Sequence, residues 1–256
     1  MPELPECEAA RRLVERNCVG RTIEKVTVTG QFDDIIMDNL APGDIGQMLK
    51  GRRLDAVKRK GKNIWWELSG IGPSILFHFG MTGAFLILGI NDHVEYQNFK
   101  HRSEDWPPRY TKLRVVFEGG VEAAFAVPRR IGRVRLRQSV LNEPPISKLA
   151  PDPLTSLPSL PDFQASVLTR EKAIKAVLLD QEMLISGVGN WVCDEILYHS
   201  RIAPSAVAAS LDDNQIKRLW EATSSVIGAA CEVEADSGKF PKSWLFHRRW
   251  GIKRGG

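Results

Sequence analysis

No two cysteines in this chain are spaced as Cys-x-x-Cys. Cys7, Cys18, Cys193 and Cys231 are scattered, so a structural zinc site has no evident ligands. Free thiols in a reducing compartment are the plainer expectation. No apolar run approaches the roughly 18 to 20 residues that span a bilayer. The N-terminus, MPELPECEAARR, carries charge from its third residue and lacks the apolar stretch of a secretory signal. A soluble intracellular protein is therefore expected, with no membrane partner. The five histidines form no metal-ligand spacing, and His78, within HFGM, reads as a packed residue rather than a ligand. Neither a metal nor a cofactor is called for.

The chain does hold 256 residues with 43% hydrophobic content, enough for one large domain or two modest ones. Its net charge is only +4, but the charge is segregated. Residues 50–62 carry seven Lys/Arg against Asp55 alone, residues 109–137 carry eight against Glu118 and Glu122, and residues 239–256 carry six against none. Three such basic stretches in an otherwise acidic chain fit a groove that tracks phosphates, although basic strand edges give a plainer reading of charge alone.

After PELPE, a helical stripe runs through Ala9, Ala10, Leu13 and Val14, with Pro5 suited to a first turn. Alternating or β-branched runs follow at 22–29, 53–58, 63–68, 74–79, 84–88, 112–118, 121–127 and 133–137, with a helical piece near 42–49. Many short strands in succession predict a sandwich or barrel. Six prolines in 138–161 read as a linker. Beyond it the period becomes helical, at 162–169, 171–180, 189–199 and 211–234, and the tail from Asp236 shows no clear period. The predicted fold class is α+β. It has an N-terminal catalytic β-sandwich domain at 1–137, a linker at 138–161, a helical DNA-binding domain at 162–235 and a basic tail at 236–256.

Three constellations carry chemistry. Removal of Met1 would expose Pro2 as a secondary amine. An α-amino group titrates near 8, so much of it is nucleophilic at neutral pH. Attack on a deoxyribose anomeric carbon would give an iminium that makes β-elimination of the 3′ phosphate feasible, with Glu3 and Glu6 beside it for proton transfer. In LISGVGNWVCDEIL, residues 184–197, Gly187 and Gly189 permit tight turning, and Asn190 would stand at a helix N-terminus that favours a phosphate. HFGMTG at 78–83 and VPRRIG at 127–132 look like loop tips that can wedge into a base stack. Each admits a plainer reading by itself: an incidental Met-Pro start, an Asn N-cap, a packed methionine with solvated arginines.

Together the motifs resemble the formamidopyrimidine-DNA glycosylase and endonuclease VIII family. The residues that carry the resemblance are PELPE at 2–6, KGKN–EL at 60–68, HFGMTG, PRRIG, and DQ–ISGVGNW–DEIL–RI-P across 180–204. They stand in family order over nearly the whole chain.

The resemblance implies a helix plus β-sandwich followed by a helix–two-turn–helix domain. It also implies a bifunctional glycosylase and abasic-site lyase that removes oxidised purines in base excision repair. Pro2 would be the Schiff-base nucleophile, Glu3 the acid/base and Glu6 its support. Lys62 would contact phosphate and assist elimination. Met81 and Arg130 would fill the void left by a flipped base, Ile131 would sit beside them, and Asn190 and Lys112 would bind phosphate. The implied partner is damaged double-stranded DNA, bound by a monomer, in the nucleus of a eukaryote or the nucleoid of a bacterium. A non-catalytic damage-binding module and an RNA-associated protein are the alternatives.

Three departures stand out. Ile131 replaces a usual Phe, Val127 replaces a usual Asp, and the four-cysteine zinc hairpin of bacterial members is missing. FPKSWLFHRRWG at 240–251 is closer to plant and fungal members with a metal-free hairpin, here an incomplete one. The short loop 236–243 favours ring-opened or further-oxidised guanines over 8-oxoguanine.

Overall fold

The computed structural model describes residues 1–29, 33, 35–38, 40, 43–90 and 106–249. The chain divides into two compact units, one of residues 1–2 and 6–147 and the other of residues 3–5 and 148–256.

The first unit holds most of helix α1 (Leu4–Cys18), whose first turn carries Glu6 and last turn Arg16, as the helix dipole favours. Its buried stripe of Cys7, Ala10, Leu13 and Val14 joins the core of a β-sandwich. One sheet has the order β1 (Ile23–Val28), β6 (Thr111–Phe117), β7 (Val121–Ala126), β5 (Ala84–Ile87), and every pairing is antiparallel. The other runs β2 (Leu54–Lys60), β3 (Asn63–Leu68), β4 (Ser74–His78), β8 (Arg133–Arg137), again antiparallel throughout. Trp66 and Phe77 from the second sheet meet Phe85, Phe117 and Phe125 from the first, with ring centroids 4.9–5.9 Å apart. Such tilted and edge-on contacts between large rings supply much of the unit's apolar burial. A short helix α2 (Asp44–Leu49) turns Ile45 and Leu49 into the same core, and the start of the predicted helical piece at residue 42 lies outside the described residues.

The second unit is helical: α3 (Leu160–Leu168), α4 (Ile174–Leu179), α5 (Asn190–Ser200) and α6 (Asp213–Glu232). Ser159 caps α3, and Asp212 with Gln215 forms a capping box for α6. Helix α4 is shorter than the 171–180 expected from its apolar pattern, because Ala173 is extended and bridges to Val207. The proline-rich stretch is not a loose tether in its second half. Ala150 N–H donates to Gln181 O at 2.9 Å and Ser186 N–H to Pro151 O at 2.9 Å, so residues 150–151 are laid onto the helical unit.

The tail, which has no period in sequence, forms two 3₁₀ turns, Ser237–Lys239 and Leu245–Arg248. Buried Glu195 accepts the N–H groups of Leu245 (3.0 Å) and Phe246 (2.8 Å), and Asp194 pairs with Arg249 at 3.0 Å. Those contacts fasten the tail to α5. Residues 250–256 of the predicted basic tail lie outside the described residues. All four cysteines are buried and none is in a disulfide, and burial pushes the Cys18 and Cys193 thiols up to about 12. Among the described residues no helix is long and apolar enough to cross a membrane.

Candidate active site and nucleic-acid face

In the helical unit, Gln181 shapes the loop before α5. Its side-chain amide donates to Leu179 O (2.7 Å) and Val188 O (2.9 Å), while its Oε1 accepts Gly187 N–H (2.8 Å). Gly187 takes a φ of 93°, a conformation that favours glycine. Its carbonyl accepts the N–H of Leu4 at 3.0 Å, which docks the start of α1 onto this loop.

Glu3 then meets the N-terminus of α5 directly. Its carboxylate is 2% exposed and accepts three backbone donors: Gly189 (2.9 Å) and Val192 (3.0 Å) on Oε2, Trp191 (2.9 Å) on Oε1. Three N–H groups and the positive end of a helix favour an ionised carboxylate. The N-terminus that the sequence assigns to Asn190 and a phosphate thus gives three of its N–H groups to a carboxylate of the chain itself. Asn190, by contrast, is exposed at the first position of α5. Trp191 packs the helix start, stacked on Phe240 with centroids 5.4 Å apart. Pro2, immediately before Glu3, is buried.

In the sandwich unit, α1 and the β2–β3 hairpin are locked together by buried Glu8. Its Oε1 accepts from Arg11 and Arg12, and its Oε2 from Arg59 at 2.9 Å. Burial alone would raise the Glu8 carboxyl, yet hydrogen bonds and charge from Arg11 and Arg59 hold it below the usual range. Stranding one partner of such a buried pair costs about 3–5 kcal/mol. Arg59 also donates to Gly61 O at 2.9 Å, and Cys7 Sγ lies 3.8 Å from Lys62 O. Gly61, with φ 57°, opens the two-residue hairpin turn and sets Lys62 at its tip, half-buried, beside the turn of α1 that follows Glu6.

Met81, Arg130 and Ile131 lie in the loops that follow β4 and precede β8. Gly80 has a φ of 63°, and a Cβ there would stand 2.6–2.8 Å from the backbone of Ile131 and Gly132, so the 79–83 and 128–132 loops abut backbone to backbone. Met81 and Ile131 are each 41% exposed on this edge, and Arg129 Nη1 lies 3.7 Å from the Met81 sulfur. Lys112 Nζ and the Arg130 guanidinium both turn to Asp33, which the sequence did not single out.

His78, at the end of β4, is half-buried and accepts the Gly80 N–H on Nδ1 at 3.2 Å. Burial, then the charges of Arg135, Lys62 and Arg133, lower its pKa to about 4. Between that value and the usual 6.5 the unfolded chain binds more protons than the folded one. Stability should therefore fall as pH drops from about 6.5 towards 4 and be flat above. Denaturant midpoints measured across that range should show the slope in the parent and a weaker one in His78→Gln.

The family model for the formamidopyrimidine-DNA glycosylase N-terminal domain matches residues 1–134, and that for its H2TH domain matches residues 149–242. A formamidopyrimidine-DNA glycosylase of Arabidopsis thaliana is 40% identical over 97% of this chain, which spans 63% of that relative's length. The crystal structure of the MutM (Fpg) protein from Thermus thermophilus superimposes with a TM-score of 0.72 at 32% identity, covering 91% of this chain and 77% of that one. A Lactococcus lactis formamidopyrimidine-DNA glycosylase, solved non-covalently bound to DNA containing an abasic site, gives a TM-score of 0.75 at 23% identity, over 93% of this chain and 84% of that one.

Proposed function

The chain belongs to the formamidopyrimidine-DNA glycosylase family, and we propose that it excises oxidised purines from duplex DNA and then cleaves the strand by β-elimination. The observation that carries the proposal is the Glu3 carboxylate, held by three N–H donors of the α5 terminus and one residue from Pro2. The reading is supported by a buried, hydrogen-bonded carboxylate standing next in sequence to the residue whose amine is assigned the attack.

With Met1 removed, Pro2 attacks C1′ of the lesion nucleotide and the damaged base departs with a proton. Protonation of the ring oxygen then breaks C1′–O4′ and leaves an iminium, which acidifies C2′–H; loss of that proton expels the 3′ phosphate, and water hydrolyses the imine to free Pro2. Glu3 is assigned proton transfer at the base and the ring oxygen, Glu6 its support, and Lys62 the neighbouring phosphate. Asn190 and Lys112 are assigned phosphate contacts. Met81, Arg130 and Ile131 form the exposed edge that enters the stack where the base has left. Domain limits at 1–137, 138–161, 162–235 and 236–256, a monomeric state and a nuclear or nucleoid location belong to the same proposal. So does a preference for ring-opened or further-oxidised guanine.

The test is borohydride trapping on duplex DNA with one abasic or formamidopyrimidine site. A covalent adduct is expected with the parent chain, formed equally well in the presence of a chelator. Glu3→Gln should lose base excision by about 10²-fold or more, as removal of a general acid–base does. Lesion-selective binding without any adduct at enzyme excess would make the chain a damage-binding module instead.

A further inference from the structure

Asp33 is a buried carboxylate with three cationic or N–H partners, all in the sandwich unit. Its Oδ2 accepts from Arg130 Nε at 2.7 Å, and its Oδ1 accepts from Arg130 Nη2 at 3.0 Å and from Ile36 N–H at 3.3 Å. Lys112 Nζ stands 3.8 Å from Oδ2. The Asp33 side chain is 7% exposed while that of Arg130 is 62% exposed. This is a two-pronged pair with one end rooted in the protein, unlike the usual loose surface ion pair. The Arg130 hydrogen bond, then the Ile36 N–H and the charges of Arg130 and Lys112, keep Asp33 below the usual carboxyl range against the effect of burial.

The turn that carries Asp33 is itself anchored. Ile36 and Met37 are fully buried, Ile36 O accepts Val134 N–H at 2.7 Å, and Asp38 pairs with Arg135. On the far side, the loop backbone of Arg130 is held by its abutment with Gly80 and by the Ile131 N–H bond to Arg129 O at 2.7 Å. Val127, at the base of that loop, is an apolar buried residue and supplies no carboxylate of its own. The Nε and Nη2 prongs of the Arg130 guanidinium therefore both rest on Asp33.

We infer that Asp33 is a positioning residue that pre-orients Arg130 for the gap left by an everted nucleotide. The inference rests on the reading of Arg130 as a DNA-contacting residue. An arginine side chain loses rotamer freedom when it is ordered, so holding its fork in place before binding removes part of that cost from association. Electrostatics alone makes the opposite forecast. Asp33 is a negative charge beneath a basic DNA face, so its neutralisation should strengthen binding to every duplex.

The signs of these two effects allow a clean test. Binding would be measured at one fixed salt concentration, for duplex carrying a tetrahydrofuran abasic analogue and for undamaged duplex. Asp33→Asn should lower the lesion-to-undamaged affinity ratio about tenfold, with undamaged binding equal or tighter. Arg130→Ala should lose a similar ratio, and the double variant should lose no more than Arg130→Ala alone. Borohydride trapping on duplex with a natural abasic site, at saturating enzyme, should leave the Asp33→Asn rate within about threefold of the parent, since positioning acts on binding. An unchanged ratio, a ratio that rises, or losses that multiply in the double variant would overturn the inference; thermal unfolding of each variant separates these from loss of fold. A parent chain that binds the abasic duplex selectively yet forms no adduct overturns the catalytic proposal and leaves the binding cycle readable.

Discussion

A chain that retains any residue ahead of Pro2 should form no borohydride-trapped adduct and should lose strand cleavage by at least about 10⁴-fold, on the scale of removing a nucleophile. The reason is electronic. With Met1 in place the Pro2 nitrogen belongs to a tertiary amide, its lone pair is delocalised into the carbonyl, and it can form no iminium. Trimmed, the same atom is a secondary amine that is largely nucleophilic near neutral pH. Pro2→Gly is the milder change, because a trimmed glycine still offers a primary amine. Its loss should be smaller, reporting the ring's fixed geometry rather than the nucleophile itself. Mass spectrometry of the trapped peptide decides the matter. A label on residue 2 supports the proposal, and a label on Lys62 in an otherwise active chain transfers the nucleophile there and refutes the role given to Pro2.

Strands were the most readable part of the sequence. Residues 112–115, KLRV, alternate polar and apolar, and Thr111–Phe117 alternates buried and half-buried in the sheet. Where the pattern misled, a long-range contact intervened: the first residues expected in α4 are drawn into a bridge with Val207, far along the chain, which no local period can report. The site shows the same division. PELPE and GVGNW are visible as motifs, but Glu3 and Gly189 meet across almost the whole chain, and only the fold shows that the Glu3 carboxylate takes N–H groups of the helix terminus. Asp33 was invisible for a plainer reason. In FDDII it looks like a turn aspartate, and its partners lie on two other strands' ends. The Asp-Glu pair of DEIL was read as motif and not as anchor, although Glu195 holds the tail by two N–H groups.

Gly189→Ala should disable base excision by about 10²-fold or more and lower the unfolding temperature by more than the ordinary cost of alanine at an N-cap. The backbone is not the obstacle: φ −123° and ψ −162° are extended values open to any residue. The obstacle is Glu3. A methyl at 189 would stand 2.3 Å from its Cδ, 2.5 Å from Oε1 and 2.6 Å from Cγ, distances no packing adjustment of a few tenths of an ångström can relieve. Glu3 must therefore leave, and the N–H groups of Gly189, Trp191 and Val192 lose their shared acceptor. Each buried donor left unsatisfied costs about 1–3 kcal/mol. Gly228, within α6, is the control: nothing lies within 4 Å of a Cβ there. Alanine at 228 should stabilise by up to about 1 kcal/mol through helix propensity and leave turnover alone. Adding Glu3→Ala to Gly189→Ala removes the atoms the methyl strikes, so the double variant should regain part of the lost stability while staying inactive. Full excision by Gly189→Ala would mean that the cradle around Glu3 is dispensable to the chemistry, and recovery of stability without recovery of excision would tie the two through that single carboxylate.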